Sequence, residues 1–257
     1  MVLSDPHWLI RHASLASTNS WALDHLDALD HGTVVYTPQQ TAGRGQHGRI
    51  WHSPQGVVTC SFIIDVRQAS AAQLSLVAGL AVADTINDRA KAAAIATRCQ
   101  LKWPNDVMLG EAKVAGILCE GRSTRSPLLR VVVGLGCNLS PDIESLALGE
   151  NAMPASSLHA HGIHAGDELG FIAAVRDLLL QGAALLNHGR WQALLERIRQ
   201  HDYLFGSYIH IIDGQRHFQG YAAGIDDHGH LLLTQPDGGH LTVSGGRIQL
   251  PAIPQEG

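Results

Sequence analysis

Three segments of this 257-residue chain concentrate the residue types that bind and activate anions. The first is Gly43-Arg-Gly-Gln-His-Gly48, with Arg49 and Trp51 just beyond. Glycines let a backbone approach a ligand closely, and arginine forks match carboxylate or phosphate oxygens. An indole offers a flat face to a purine or an apolar ring. No Asp or Glu occurs from His31 to Ile64, although the chain carries a net charge of −5. A local basic stretch in an acidic chain reads as a pocket for a small anion, and the overall charge argues against a general nucleic-acid binder. The second segment is Lys102-Trp-Pro-Asn-Asp106, followed by Lys113. Lysine is scarce here: of 18 basic residues only Lys91, Lys102 and Lys113 are lysines. Asn105 and Asp106 follow Pro104 in a turn, where polar side chains face a ligand or cap the turn. The third segment, Gly134-Leu-Gly-Cys-Asn138, ends an apolar strand; it either admits a ligand close to the backbone or is a plain turn.

Several familiar readings of these residues fail. Gly43 to Gly48 matches G-x-G-x-x-G, with Asp65 about twenty residues on as a dinucleotide fold requires. That fold needs a helix to open at the third glycine, and here the chain runs through Pro54 into another strand. There is no Gly-Lys pair for a Walker A loop, and no H-R-D or D-F-G for a kinase. Neither H-E-x-x-H nor G-x-S-x-G occurs. His159-x-His161-x-x-His164 fits no strong zinc spacing, and among sixteen histidines such a cluster arises by chance. The four cysteines, Cys60, Cys99, Cys119 and Cys137, lie too far apart for a small secreted disulfide framework.

The elements that must position these segments follow from periodicity. Trp8 to Ala13 and Thr33 to Thr37 read as strands, and Thr18 or Asn19 to Leu29 as a helix with Trp21, Leu26 and Leu29 on one face. Pro38 to Gly56 shows no apolar period and is expected to be a long functional loop. Val57 to Val66 is a strand, Ala72 to Arg89 a core helix. Strands are expected over Cys99 to Trp103, Asp106 to Leu109, Lys113 to Glu120 and Leu129 to Cys137, and helices over Asp167 to Leu186 and Trp191 to His201. From Ser207 to Leu250 short alternating strands are broken by Asp213-Gly214, Asp227-His228-Gly229 and Pro236 to Gly239, the pattern of a small β-barrel. A prior of roughly 150 residues per domain suits one large unit and one small. The expected division is 1–205 and 206–257. With 45% hydrophobic and 16% charged residues the chain is neither disordered, collagen-like nor a coiled coil. No apolar run approaches the roughly 18 residues that cross a bilayer, so no integral membrane protein is expected, and there is no secretory pattern from Met1 to Arg11. The expected address is cytoplasmic, with no membrane partner.

In order along the chain, Ser17-Thr-Asn19, Gln40-Thr-Ala-Gly-Arg-Gly-Gln-His-Gly-Arg49 with Trp51, Lys102-Trp-Pro-Asn-Asp106, Lys113-Val-Ala-Gly-Ile-Leu118 and Gly134-Leu-Gly-Cys-Asn138 resemble the biotin–protein ligase family. The resemblance spans about Trp8 to Leu250. It implies an α+β fold: a mixed central sheet with flanking helices, like the class II synthetase catalytic fold, plus a small C-terminal SH3-like β-barrel. It also implies a two-step reaction. Biotin and ATP, with Mg²⁺, give biotinyl-5′-adenylate and pyrophosphate; a lysine of a biotin carboxyl carrier protein of acetyl-CoA carboxylase then takes the biotin and releases AMP.

Residue by residue, the match assigns catalysis to Lys113 and Arg44, near the biotin carboxylate and the α-phosphate. Biotin binding falls to Ser17, Thr18, Asn19, Gln40, Gly43, Arg44, Gly45, Gln46, Lys113 and Gly116, with Ser17, Thr18 and Gln40 on the ureido end. The nucleotide falls to Arg49, Trp51, Asn105, Asp106 and Asn138; no metal ligand is assigned. Gln46 departs from the arginine the family commonly carries there, which removes one cation from the loop. Ser17 comes too early for the N-terminal helix-turn-helix of the repressor members, so no DNA is expected. A homodimer through the central sheet is compatible with the resemblance. Lipoate–protein ligase and a non-catalytic biotin-binding protein remain alternatives, separated by pyrophosphate release with biotin against lipoate.

Overall fold

The computed structural model describes residues 5–122, 128–140 and 153–250. In chain order the elements are β1 (Leu9–Arg11), α1 (Thr18–Asp24), β2 (Val34–Thr37), β3 (Gly43–Arg44), β4 (Ile50–Trp51), β5 (Val57–Arg67), α2 (Leu74–Ala92), β6 (Cys99–Lys102), β7 (Asp106–Leu109), β8 (Ala112–Arg122) and β9 (Leu128–Asn138). Then come α3 (Glu168–Asn187), α4 (Trp191–Gln200), β10 (Tyr208–Asp213), β11 (Arg216–Ile225), β12 (Leu231–Thr234), β13 (His240–Val243) and β14 (Arg247–Gln249).

Seven strands form one mixed sheet in the order β1-β2-β5-β9-β8-β7-β6, parallel only between β1 and β2. Alternation along the two eleven-residue strands β5 and β9 sorts side chains to two faces. Cys60, Phe62, Ile64 and Val66 meet Val131, Val133, Leu135 and Cys137 in the main core, which α2 and α3 cover. On the other face Ile63 and Val132 join Ala22, Leu26, Leu29 and Val35 in a second, small core beneath α1. The rest of that face carries Thr59, Ser61, Gly134, Gly136 and Gly116, with only the N-terminal residues Thr18 and Asn19 of α1 reaching over Ser61 and Gly134; this is the floor of the site.

Two local expectations are corrected. The helix expected to reach Leu29 stops at Asp24, and a 3₁₀ turn, Leu26–Ala28, follows. His25 causes the break: its backbone leaves the helical region (φ −112°, ψ 13°), its ring stacks on Trp21 at 4.0 Å, and its Nδ1 meets the Trp21 carbonyl at 2.8 Å. Leu26 and Leu29 still reach the core. The long loop from Pro38 to Gly56 contains a hairpin, β3 against β4, closed by a turn in which His47 and Gly48 take positive φ (55° and 72°). Two residues per strand are too few for any periodicity to register.

The helices α2 and α3, though broken by charges in sequence, are long and apolar enough by composition to cross a membrane. Their apolar faces are instead packed inside the fold, α2 on α3 and on the sheet, α3 on β5. After α4, Leu101 and Asp202 form a bridge, and the Asp202 carboxylate accepts the Leu204 N–H at 2.9 Å, turning the chain into the C-terminal unit. There β10 to β14 form one antiparallel sheet, β13-β12-β11-β10-β14, with β13 and β14 at its edges and a bulge between Ala222 and Gly224. Bonds fasten it to the main unit: Trp103 Nε1 to the Gly229 carbonyl (3.0 Å), Trp191 Nε1 to the Asp227 carbonyl (2.8 Å), Arg199 Nε to the Ile225 carbonyl (2.8 Å) and Arg199 NH2 to the Asp227 carboxylate (3.0 Å).

Candidate functional site

Strand register builds the site floor. Thr59 on β5, Gly136 on β9, Gly116 on β8, Asp106 on β7 and Lys102 on β6 lie in one cross-strand row. Ser61, Gly134 and Leu118 form the next row on the same face. Because Gly136 has no side chain, the Trp51 indole lies directly on it; a Cβ there would fall 2.1 Å from Trp51 Cε2. The Trp51 Nε1 is buried without a hydrogen-bond partner among the described residues. Gly134 leaves the same kind of room for Asn19, whose Oδ1 would be 2.3 Å from a Cβ.

At one end of the floor the N-terminus of α1 supplies a buried polar cluster. Ser17 caps the helix, accepting the Ser20 N–H. Thr18 donates its backbone N–H to Gln40 Oε1 at 2.9 Å. Ser61 Oγ lies 2.8 Å from Thr18 Oγ1 and 2.6 Å from Asn19 Oδ1. Gln40 comes alongside through a bridge between Leu15 and Gln40. At the other end one carboxylate sits between two ammoniums. Asp106 Oδ1 is 2.5 Å from Lys113 Nζ, and Oδ2 is 3.5 Å from Lys102 Nζ. Burial pushes the Asp106 carboxyl up, but Lys113 and Lys102 outweigh it and hold it below the usual carboxylate range. Burial pulls the Lys102 ammonium down, with Asp106 opposing. Lys113 Nζ also lies 5.4 Å from the Trp51 ring centre.

These groups line a single cleft of about 1290 Å³. It takes in every residue assigned from sequence except Gly43, which lies at the hairpin's base, where a Cβ would strike the Trp51 carbonyl at 2.3 Å. Gly45, Gln46 and Arg49 line it from the hairpin turn. Asn105 and Asn138 reach it too, with amides tied to backbone: Asn105 Nδ2 donates to the Ile117 carbonyl at 2.8 Å, Asn138 Nδ2 to that of Ser156 at 3.0 Å. Arg44 and Lys113 are not brought together. Arg44 pairs with Glu120 at 2.7 Å, while Lys113 pairs with Asp106.

Sequence reading missed several lining groups. Thr59 is a polar position on one face of an otherwise apolar strand, a signal that was present in the alternation; Ser61, on the same face, is fully buried beneath Thr18 and Asn19. His210, Arg247 and Gln249 come from the C-terminal sheet, and no local spacing marks them. His159 and His164 face each other edge-on at 5.9 Å beside a smaller cleft of about 450 Å³. Among the described residues no group of three or more His, Cys, Asp or Glu could hold a metal ion. Burial pushes the Cys99 and Cys119 thiols up to about 12, and Cys60 and Cys137 rise as well. None of the four is poised as a nucleophile.

Residues 11–138 match the Biotin/lipoate A/B protein ligase family, and residues 204–250 match the Biotin protein ligase C terminal domain. The biotin–[acetyl-CoA-carboxylase] ligase of Paracoccus denitrificans is 35% identical over 233 residues, covering 86% of this chain and 92% of its own. The bifunctional ligase/repressor BirA of Escherichia coli K12 is 30% identical over 244 residues, covering 91% of this chain and 71% of its own. The solved structure of biotin protein ligase from Aquifex aeolicus in complex with biotin and ATP has a TM-score of 0.76 at 23% identity, covering 94% of this chain and 97% of that one. At that identity the likeness speaks to the fold.

Proposed function

The chain belongs to the biotin/lipoate A/B protein ligase family, and from that premise we propose that it activates biotin as biotinyl-5′-adenylate and transfers it to a lysine of a biotin carboxyl carrier protein. The observation that carries the reading is the floor of the cleft. A buried polar cluster at one end suits a polar ring system, and a lysine–carboxylate–lysine row at the other suits a phosphate, with glycines and an indole between.

In the first step a biotin carboxylate oxygen attacks the α-phosphorus of ATP, the bond to the β-phosphate oxygen breaks, and pyrophosphate leaves. Two anions must meet, which opposes them by about 4 kcal/mol at 4 Å and an effective dielectric near 20. Lys113, with Lys102 behind it, offsets that repulsion and stabilises charge growing on the α-phosphoryl oxygens. Ser17, Thr18 and Gln40 would hold the ureido group, and Trp51 would flank the adenine. In the second step a carrier lysine attacks the biotinyl carbonyl, and AMP leaves. Positioning supplies much of the remaining acceleration, so no enzyme nucleophile is required. Asp106 is the one acid among the described cleft-lining residues, and this supports giving it the attacking amine's proton. Mg²⁺ would arrive on the nucleotide phosphates, which commonly supply most of its oxygens, because both oxygens of Asp106 already face lysine ammoniums. We take the catalytic unit as 1–205 and the C-terminal unit as 206–257.

The test is a transfer assay with ATP, Mg²⁺, biotin and a carrier domain, read by intact mass. Lys113→Ala is expected to slow transfer by about a hundredfold or more, the scale of losing one charge-stabilising group. Unchanged transfer would remove Lys113 from the mechanism. Pyrophosphate release with lipoate but not biotin would assign the site to lipoate, and biotin binding without turnover would make the protein a biotin binder.

A further inference from the structure

Biotin–adenylate chemistry needs its cations at one reacting centre, yet Arg44 and Lys113 sit in two separate ion pairs. The Arg44 pair is unusual in its partner. Glu120 lies on β8, on the same face as Leu118 and Gly116, and its Oε2 accepts from Arg44 NH2 at 2.7 Å and from Asn19 Nδ2 at 2.9 Å. One carboxylate oxygen thus ties the hairpin cation to the buried polar cluster. The hairpin itself, β3 with β4, forms a separate two-stranded sheet with no ladder to the main one. Two-stranded ribbons are marginal alone, so side-chain contacts hold it down: the Trp51 indole on Gly136, and Arg44 on Glu120. The Arg44 and Glu120 side chains are 43% and 26% exposed, and pairs in such contact with solvent hold weakly.

We propose that Glu120 is a positioning residue, a resident carboxylate that parks Arg44, and with it the hairpin, until the carboxylate of the ligand takes its place. The exchange is neutral in charge: Arg44 leaves one carboxylate for another, so its guanidinium is never left unpaired inside the cleft. The inference rests on the biotin-ligase reading, because it requires a ligand that brings a carboxylate. It goes beyond that reading in assigning a role to a residue that makes no part of the floor.

The experiment uses the full chain and Glu120→Gln, whose amide oxygen still accepts from Asn19 while the charge is lost. Calorimetry is run with biotin and with biotinol, which has an alcohol in place of the carboxylate. Glu120→Gln is expected to bind biotin about fivefold tighter, roughly 1 kcal/mol of removed competition, and biotinol as the wild type does. Proteolytic cleavage within residues 43–51 without ligand should be faster in the variant and slow again when biotin is added. In an Arg44→Ala background, Glu120→Gln should change nothing further. Unchanged or weakened biotin binding in Glu120→Gln, with the wild type binding normally, would overturn the exchange and leave the ligase reading standing. A wild type that binds neither probe would overturn the biotin reading and the exchange with it.

Discussion

Asp106 sits between Lys102 and Lys113, and removing its charge separates what the three do together. Lys102 is only 7% exposed in its side chain, and Asp106 is the carboxylate that compensates it. Asp106→Asn is therefore expected to cost about 3 kcal/mol, the scale of stranding a buried charge, measured by urea unfolding at pH 7. The pH dependence has a definite sign. Burial already puts the folded-state pKa of Lys102 below its unfolded value, so the unfolded chain binds the more protons and stability rises with pH in that window. Without Asp106 the depression deepens, so the variant should regain stability between pH 7 and pH 9.5 more steeply than the wild type. A flat or falling difference would mean that Lys102 is compensated elsewhere. At this scale much was legible in the sequence. Scarce lysines beside an Asn-Asp turn pointed to Lys102 and Lys113, and both meet one carboxylate. The pairing of Arg44 with Glu120 was not legible, because it joins residues 76 apart whose only link is the placement of a hairpin over a strand.

Among elements, the decisive one is the strand pair β9–β8, because its register puts Gly136 opposite Gly116 and leaves a slot for an indole. Gly136→Ala keeps the backbone but puts a methyl where Trp51 lies. The indole must lift, at a cost of about 1–3 kcal/mol for overpacking, and the KM for ATP should rise about tenfold, roughly 1.4 kcal/mol of lost stacking. In a Trp51→Ala background the same change should alter KM no further, as a double-mutant cycle with steady-state kinetics would read. Additive effects in that cycle would separate the glycine from the indole. Most strands and helices were legible from period 2 and period 3.6 patterns, with ends misplaced by up to three residues. The two failures share a cause: α1 ended where a histidine ring stacked back on Trp21, and the β3–β4 hairpin has two residues per strand. Neither event leaves a periodic trace.

For the whole molecule, the cleft is a joint product. Its floor belongs to the large sheet, but His210, Arg247 and Gln249 close it from the small one. The sequence pattern pointed to a large mixed unit followed by short strands, and said nothing of how they face each other, because the indole and guanidinium bonds between them go to groups at the end of β11 and in the turn after it. Trp103 is the nearest of these to the chemistry, three residues before Asp106. Trp103→Phe leaves the Gly229 carbonyl without that donor and should lower stability by about 1–2 kcal/mol, with a shift in urea midpoint. It should also raise KM more than it lowers kcat, since it loosens the wall of the cleft and leaves Lys113 in place. A kcat loss with KM unchanged would tie Trp103 directly to the reacting groups.

The two indole bonds impose an order on biosynthesis. Domains generally fold from the N-terminus while the chain is still being made, so residues 99–122 leave the ribosome and pair into their sheet long before Asp227 and Gly229 exist. Until then the indole N–H groups of Trp103 and Trp191 stay with water, because the carbonyls they donate to lie in the unmade C-terminal unit. The nascent catalytic part therefore carries two solvated donors, which find their carbonyls only in about the last eighth of translation.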